Sequence, residues 1–437
     1  MNPANDRFLS AKKLIWPWAI FLLSTLFYYY DYFLRVSPSV MVDHLMKVYN
    51  VDAGMIGVLS AFYFYAYMPM QIPTGILLDK HSPRNLLTIS CGFCALGIFI
   101  FSYTTSLPVV FFARFLMGFG SAFALVGAYK LAAHWFPHER FGLIVGLITG
   151  LGTLGAVSAD VILSQGINKY GVSQSLLITG VFGIILLVLI YLFVRDDPPW
   201  KKHVEQKTES WSHSWKQLIV IFSNWRYWVT GAVACLMYLP VSVFASLWGN
   251  DFIAKVYNLD IDKAARLNSL IFLGFVVGGP VAGHLSDHFK RRRWPVFVGT
   301  FAATVILLLV IYVTSIPFFI ISVLLFMLGF MVGSQIPLYA LGREISPREC
   351  PALGVAGINF IITIGAAFFQ PAIGYLIDFF WDGSMLQGVP DYSIHTYQLA
   401  LAILPIMSLI SFILTFLIPE TKCNLMAPRV KHSNNIQ

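Results

Sequence analysis

Charge is scarce in this chain. Of 437 residues only 11% are Asp, Glu, Lys or Arg, against 57% hydrophobic, whereas a soluble domain carries about a quarter charged. With a mean hydropathy of +0.72, that deficit excludes an ordinary soluble globule. Cysteine is sparse too, at five residues. The one C-x-x-C pair, Cys91 and Cys94, lies in an apolar run without a nearby histidine, so it reads as packing rather than redox or zinc chemistry. No Walker A sequence occurs, which argues against direct ATP drive. Gly150-Leu-Gly152-Thr-Leu-Gly155 satisfies G-x-G-x-x-G but follows no strand, so it is not a nucleotide fingerprint. Without a nucleophile–base pair or metal-ligand spacing, no enzyme, cofactor or metal is expected.

What the chain has instead is apolar runs of roughly twenty residues, each able to cross about 30 Å of hydrocarbon as helix. Twelve spans are read near 15–38, 54–78, 85–104, 107–134, 141–165, 173–194, 226–249, 266–286, 295–314, 317–341, 351–377 and 396–418. Alternating the loops from a cytoplasmic N-terminus puts 21 of the 29 Lys and Arg inside, five outside and three (Arg35, Arg114, Lys130) within spans. That bias places both termini in the cytoplasm. The net charge of +8 is therefore topological, and nucleic acid is not an expected partner. The first apolar run continues through Tyr28–Tyr32 without a cleavage site, as an uncleaved helix.

Residues 195–222 form the longest polar stretch and divide the chain into an N-terminal six-helix bundle (1–194), a cytoplasmic linker (195–222) and a C-terminal six-helix bundle (223–437). Trp211, Trp215 and Trp225 give part of this stretch the character of an interfacial amphipathic helix. The two halves repeat a signal: Gly75-Ile-Leu-Leu-Asp79 with Arg84, and Gly283-His-Leu-Ser-Asp287 with Arg291, the aspartates 208 residues apart. Spans 3, 6, 9 and 12 carry no charge and read as a lipid-facing outer layer. The others carry polar stripes at helical spacing, including Tyr28, Asp31 and Arg35; Tyr63, Tyr67 and Gln71; Gln335 and Tyr339; and Asn359, Thr363 and Gln370. Facing lipid would be costly for these, so they should face a shared cavity or one another. The fold class is thus an all-α membrane protein of twelve transmembrane helices in two pseudo-symmetric bundles.

These residues resemble the major facilitator superfamily over essentially the whole chain. The Gly75–Asp79–Arg84 loop and its Gly283–Asp287–Arg291 echo look like that family's loop signature. Arg114-Phe-Leu-Met-Gly118-Phe-Gly120 looks like its fourth-helix motif, and Pro419-Glu-Thr-Lys422 is a common ending. The glycine-rich fifth span lacks the usual Gly-Pro pair. The resemblance implies a monomeric transporter whose halves rock around a central site, in a bacterial inner membrane. The string Tyr28-Tyr-Tyr-Asp31-Tyr-Phe-Leu-Arg35, with Phe62-Tyr-Phe-Tyr-Ala-Tyr67, is similar to the phagosomal-transporter group, which takes up amino acids or nucleosides.

Four intramembrane charges need partners, because an unpaired one costs at least about 2.5 kcal/mol. Asp31 and Arg35 share a helix face; Arg114 and Asp160 lie at similar depth on consecutive spans and are expected to pair. Such pairs either brace the N-terminal half or open during the transport cycle. On the second reading Asp31, then Asp160, carries a proton, while Arg35 and Arg114 grip a carboxylate. Tyr28, Tyr63, Tyr67, Tyr238, Gln335, Tyr339, Asn359 and Gln370 supply neutral contacts. Gly75, Asp79, Arg84, Gly283, Asp287 and Arg291 form gating loops, closed only when the cytoplasmic side is shut, and Arg343 and Glu344 near Arg348 and Glu349 form a similar latch. The expected activity is proton-coupled movement of a small polar metabolite, an amino acid first, with an organic anion or siderophore carrier as the alternative. A non-transporting sensor of the same fold is the reading from another class.

Overall fold

In lipid every backbone N–H and C=O must be satisfied within the segment, so an apolar chain of this length resolves into helices. The computed structural model describes residues 3–137, 140–198, 211–347, 351–386 and 389–424. Its twelve long helices are α1 (Pro3–Val36), α2 (Ala53–Lys80), α3 (Pro83–Tyr103), α4 (Leu107–Trp135), α5 (Leu143–Tyr170), α6 (Val172–Phe193), α7 (Trp225–Tyr257), α8 (Ile261–His288), α9 (Arg293–Tyr312), α10 (Phe318–Glu344), α11 (Pro351–Phe379) and α12 (Ile394–Leu414). The all-helical, twelve-span reading is the fold observed. Four ends and beginnings are set by caps: Asp52, Ser82, Asn224 and Ser393 each accept a hydrogen bond from the first turn of the helix they precede. A further helix, Trp211–Phe222, leads into α7 with Ile219 and Val220 exposed. The linker segment 199–210 and the side chains of Trp211 and Trp215 lie outside the described residues.

Two helices depart from α geometry where function concentrates. The α5 backbone becomes a π-helix over Ala159–Leu163, and α7 over Pro240–Trp248; such bulges re-aim side chains within a span. The duplication extends to a feature the sequence reading passed over. Asn50 and Asn258 both adopt left-handed φ, 51° and 49°, each ending a short helix just before the Asp52 or Asp260 that starts α2 or α8. These elbows have the same spacing as Asp79 and Asp287.

Among the four charge-free spans α6 is the least buried of the membrane helices and α12 follows it, whereas α7 is the most enclosed. The other two charge-free spans, α3 and α9, are at least as buried as α5 and α10, so the expected outer layer holds for α6 and α12 only.

The halves meet most closely at the face opposite the start of α1 and the end of α12, here the far end. Gly57 lies so close to α11 that a Cβ there would stand 2.5 Å from the Gln370 carbonyl and 2.7 Å from the Pro371 Cα. Gly54 and Gly374 make equally tight approaches across the same seam. Asp378 of α11 then caps the first turn of α2, accepting from the Ala53 N–H at 3.1 Å and the Gly54 N–H at 2.6 Å. Tyr392 donates to the same carboxylate at 2.5 Å. Burial and that carboxylate push the Tyr392 hydroxyl well above the usual phenol range, so it remains a donor. Toward the near end, Asn359 bonds Gln71 at 2.7 Å. A Cβ on Gly75 would meet nothing within 4 Å. The far end is where the halves approach each other most tightly. Gly57→Ala should weaken the seal by about 1–3 kcal/mol, the usual range for overpacking. Faster labelling of far-end cysteines would report it.

Candidate functional site

Helical spacing puts Tyr28, Asp31, Tyr32 and Arg35 on one face of α1, and Tyr63, Tyr67 and Gln71 on one face of α2. The two faces converge. Arg35 places one terminal nitrogen 3.2 Å from each oxygen of Asp31, and Tyr63 donates its hydroxyl to the same carboxylate. The guanidinium carbon lies 4.5 Å from the Tyr32 ring centre, 4.8 Å from Tyr67, 5.6 Å from Tyr63 and 5.8 Å from Phe64. It is thus held by π faces on several sides. Its Nε is buried and has no hydrogen-bond partner. A guanidinium engaged through one nitrogen keeps donor capacity for an incoming anion.

The C-terminal half closes this site with neutral groups. The hydroxyls of Tyr32 and Tyr238 stand 3.4 Å apart. Tyr339 donates to the Asn359 side-chain oxygen at 3.0 Å, and Asn359 in turn donates to Gln71. Gln71 keeps a buried, unpartnered amide nitrogen. Tyr28 packs edge-to-face on Tyr32, ring centres 5.1 Å apart.

Three residues expected at the site serve elsewhere. Arg114 does not pair with Asp160. It donates to the Leu34 carbonyl at 2.8 Å, the Ser60 carbonyl at 3.3 Å and the Arg35 carbonyl at 3.4 Å. Leu34 and Arg35 lie in the last turn of α1, whose carbonyls have no intrahelical donor. Arg114 therefore caps a helix C-terminus, and the negative end of the helix dipole serves in place of a carboxylate. Gln335 and Gln370 brace their own half, donating to the carbonyls of Ala234 at 2.9 Å and Ser242 at 2.8 Å.

Asp160, on the α5 π-bulge, instead accepts from Ser39 at 3.2 Å, from Asn250 of α7 at 2.9 Å and from Asn268 of α8 at 2.9 Å. Sequence reasoning missed all three donors. Asn268, an amide within an apolar span, was the available signal; Asn250 fell just past the end assigned to span 7.

At the near end the duplicated loops act within their own halves. Arg84 donates to the Tyr191 carbonyl at 2.8 Å, and Asp196 caps the Arg84 N–H at 2.7 Å. The partner of Asp287 is Arg292 at 2.5 Å rather than the exposed Arg291. Arg292 also binds Glu344 at 2.6 Å, and Glu420 caps the start of α9 through the Arg292 and Arg293 N–H groups. This clamp lies wholly within the C-terminal half. Gly283 sits beside Ile336 of its own half. The Asp79 side chain, and Arg348 and Glu349 of the expected latch, lie outside the described residues. Cys91 and Cys94 are buried among Gly183, Met117 and Ser121, as packing groups.

A family model described as the Major Facilitator Superfamily matches residues 21–260 and 230–431. The probable galactarate/D-glucarate transporter GudP of Bacillus subtilis is 22% identical over 415 residues, covering 84% of this chain and 87% of its own. The membrane sensor protein UhpC of Escherichia coli is 23% identical over 397 residues, covering 86% and 89%. A crystal structure of a D-xylose-proton symporter superposes with a TM-score of 0.74 at 14% identity, covering 94% of this chain and all of that one.

Proposed function

The chain belongs to the Major Facilitator Superfamily, and we propose that it moves a small organic anion bearing one acidic group across the membrane by alternating access, with a proton. The observation that carries this reading is Arg35: a buried guanidinium with one nitrogen on Asp31 and an unpartnered Nε. An anion entering the tyrosine-lined site competes with Asp31 for that cation. Once displaced, Asp31 keeps only the neutral hydroxyls of Tyr63 and Ser121, and a buried carboxylate without its counter-charge is neutralised by a proton. Substrate and proton then occupy the site together. Arg114 spends both terminal nitrogens on carbonyls and keeps only its Nε unpartnered, so Arg35 is the guanidinium offered to the substrate, which favours one acidic group over two. Tyr28, Tyr67, Tyr238, Tyr339, Gln71 and Asn359 offer hydrogen bonds to a hydroxylated body.

An amino acid, the first expectation from sequence, needs a free carboxylate for its ammonium group. Asp31 and Asp160 are both occupied by donors, so the anion is favoured. The galactarate/D-glucarate relative supports that choice. With basic loops inside, the far end faces away from the cytoplasm, the membrane is a bacterial inner membrane, and one chain supplies the whole site as a monomer. The sensor relative keeps one other reading in view: ligand binding without flux.

Purified protein in liposomes should take up labelled aldonates, and an inward proton gradient should raise the uptake. Sugar diacids, hexose phosphates and amino acids in the same panel test the charge rule. Preference for a zwitterion would reject the anion reading, and ligand-induced stabilisation with no flux of any solute would favour the sensor.

A further inference from the structure

Asp160 stands apart from the Arg35 site and is a buried carboxylate that the transport reading leaves unused. It is fully buried, and among the described residues it has no cationic partner. Its three donors come from three elements: Ser39 from the turn after α1, Asn250 from α7 and Asn268 from α8. Two of these belong to the opposite half, so the carboxylate is a bond across the far-end seam.

The amides cannot turn freely. The Asn268 nitrogen also donates to the Ala245 carbonyl at 2.8 Å, and the Asn250 nitrogen to the Ser39 carbonyl at 3.2 Å. Flipping either amide to offer its oxygen to Asp160 would face that oxygen with a carbonyl. The backbone thereby holds both amides as donors, the Ser39 hydroxyl completes the cage while accepting from Asn250 at 3.0 Å, and an ionised carboxylate fits it. A protonated Asp160 could give its hydrogen only to the Ser39 hydroxyl, which would then have to stop donating to it, and it loses the charge that strengthens each bond.

We infer that Asp160 is a second proton-binding site, separate from Asp31, and that its occupancy sets whether the far end is latched: ionised it ties the halves together, protonated it releases them. By reciprocity, opening the far end raises its readiness to take a proton from that side. The other charged groups on the packed elements are already engaged. Arg35 holds Asp31, Arg266 holds Asp262 at 3.0 Å, Lys263 holds Asp260 at 3.5 Å, and Lys169 lies over the Tyr170 ring. Asp262 reaches the region only through Ser164, at 3.2 Å. Asp251, next to Asn250, is a second buried acid, near the like charge of Asp43 and with one oxygen unpartnered, while His284, Asp287 and His288 sit at the opposite end of α8.

The test is a distance measurement without substrate, so it is independent of whether the anion reading holds. Spin labels at Lys47→Cys and Lys263→Cys, both exposed at the far end on opposite halves, are placed in a background lacking the native cysteines. Acidification from about pH 8 to about pH 5 is expected to raise the far-open to far-closed ratio about tenfold, one unit of linked protonation. Asp160→Asn should be far-open at both values and insensitive to pH. Asp160→Asn combined with Asn250→Asp, which moves the carboxylate across the seam, should restore closure and the pH response. A pH response in Asp160→Asn equal to the parent's, or closure on acidification, would overturn the inference. Should Asp160→Asn fail to fold, the parent titration decides: a ratio that does not move with pH rejects the latch.

Discussion

Arg35→Ala is expected to cost at least about 100-fold in kcat/KM for the anion, because removing one partner of a buried charge pair costs about 3–5 kcal/mol and each 1.4 kcal/mol is a factor of ten. The loss has two sources. The substrate loses its guanidinium, and Asp31 keeps only the hydroxyls of Tyr63 and Ser121. Arg35→Lys separates them. A lysine ammonium restores the charge beside Asp31 but lacks the planar fork that bonds two acid oxygens while lying against the tyrosine rings. It should insert and fold as the parent does yet recover little transport. Uptake by Arg35→Lys within a few fold of the parent would show that charge alone matters, and would remove the bidentate grip from the mechanism.

Asp31→Asn is the second large effect, and its signature is a split. Accumulation against a gradient should disappear, since no group at the site can then carry a proton with the substrate. Exchange of labelled for unlabelled substrate should survive. Its apparent affinity should rise, because the anion no longer competes with Asp31 for Arg35. Counterflow in liposomes measures exchange, and uptake under an imposed proton gradient measures accumulation. Undiminished accumulation would remove Asp31 from the coupling step.

Helix number and the duplication were legible because both are written in hydropathy and in loop charge, which lipid enforces span by span. The α1 and α2 faces were legible for the same reason: Tyr28, Asp31 and Arg35, and Tyr63 and Tyr67, recur at a spacing that a helix turns into one surface. What the pattern could not supply was the partner chosen by each charge. Arg114 and Asp160 looked complementary on depth and sign, yet Arg114 found the open carbonyls at the end of α1, and a carbonyl donates no signal to a sequence. Asp160 was re-aimed by a π-bulge that shifts the helix face, a backbone event with no residue signature of its own. The Arg291 assignment failed on one residue of register, since the left-handed turn at Lys290 (φ 50°) brings Arg292 rather than Arg291 back over Asp287.

The cap that Arg114 places on α1 also constrains how a cargo is released. By fastening the Leu34, Arg35 and Ser60 carbonyls together, it makes α1, α2 and α4 one rigid block, with Arg35 mounted on it. A bound solute keeps the same hold on that block throughout the cycle, and only the opposing wall of Tyr238, Tyr339 and Asn359 swings toward or away from it. Any disparity between affinity on the two membrane faces must then originate in that uncharged wall. Substitutions there would retune the relative affinity at the two faces, and with it the rates of uptake and release, while leaving recognition of the acid group intact.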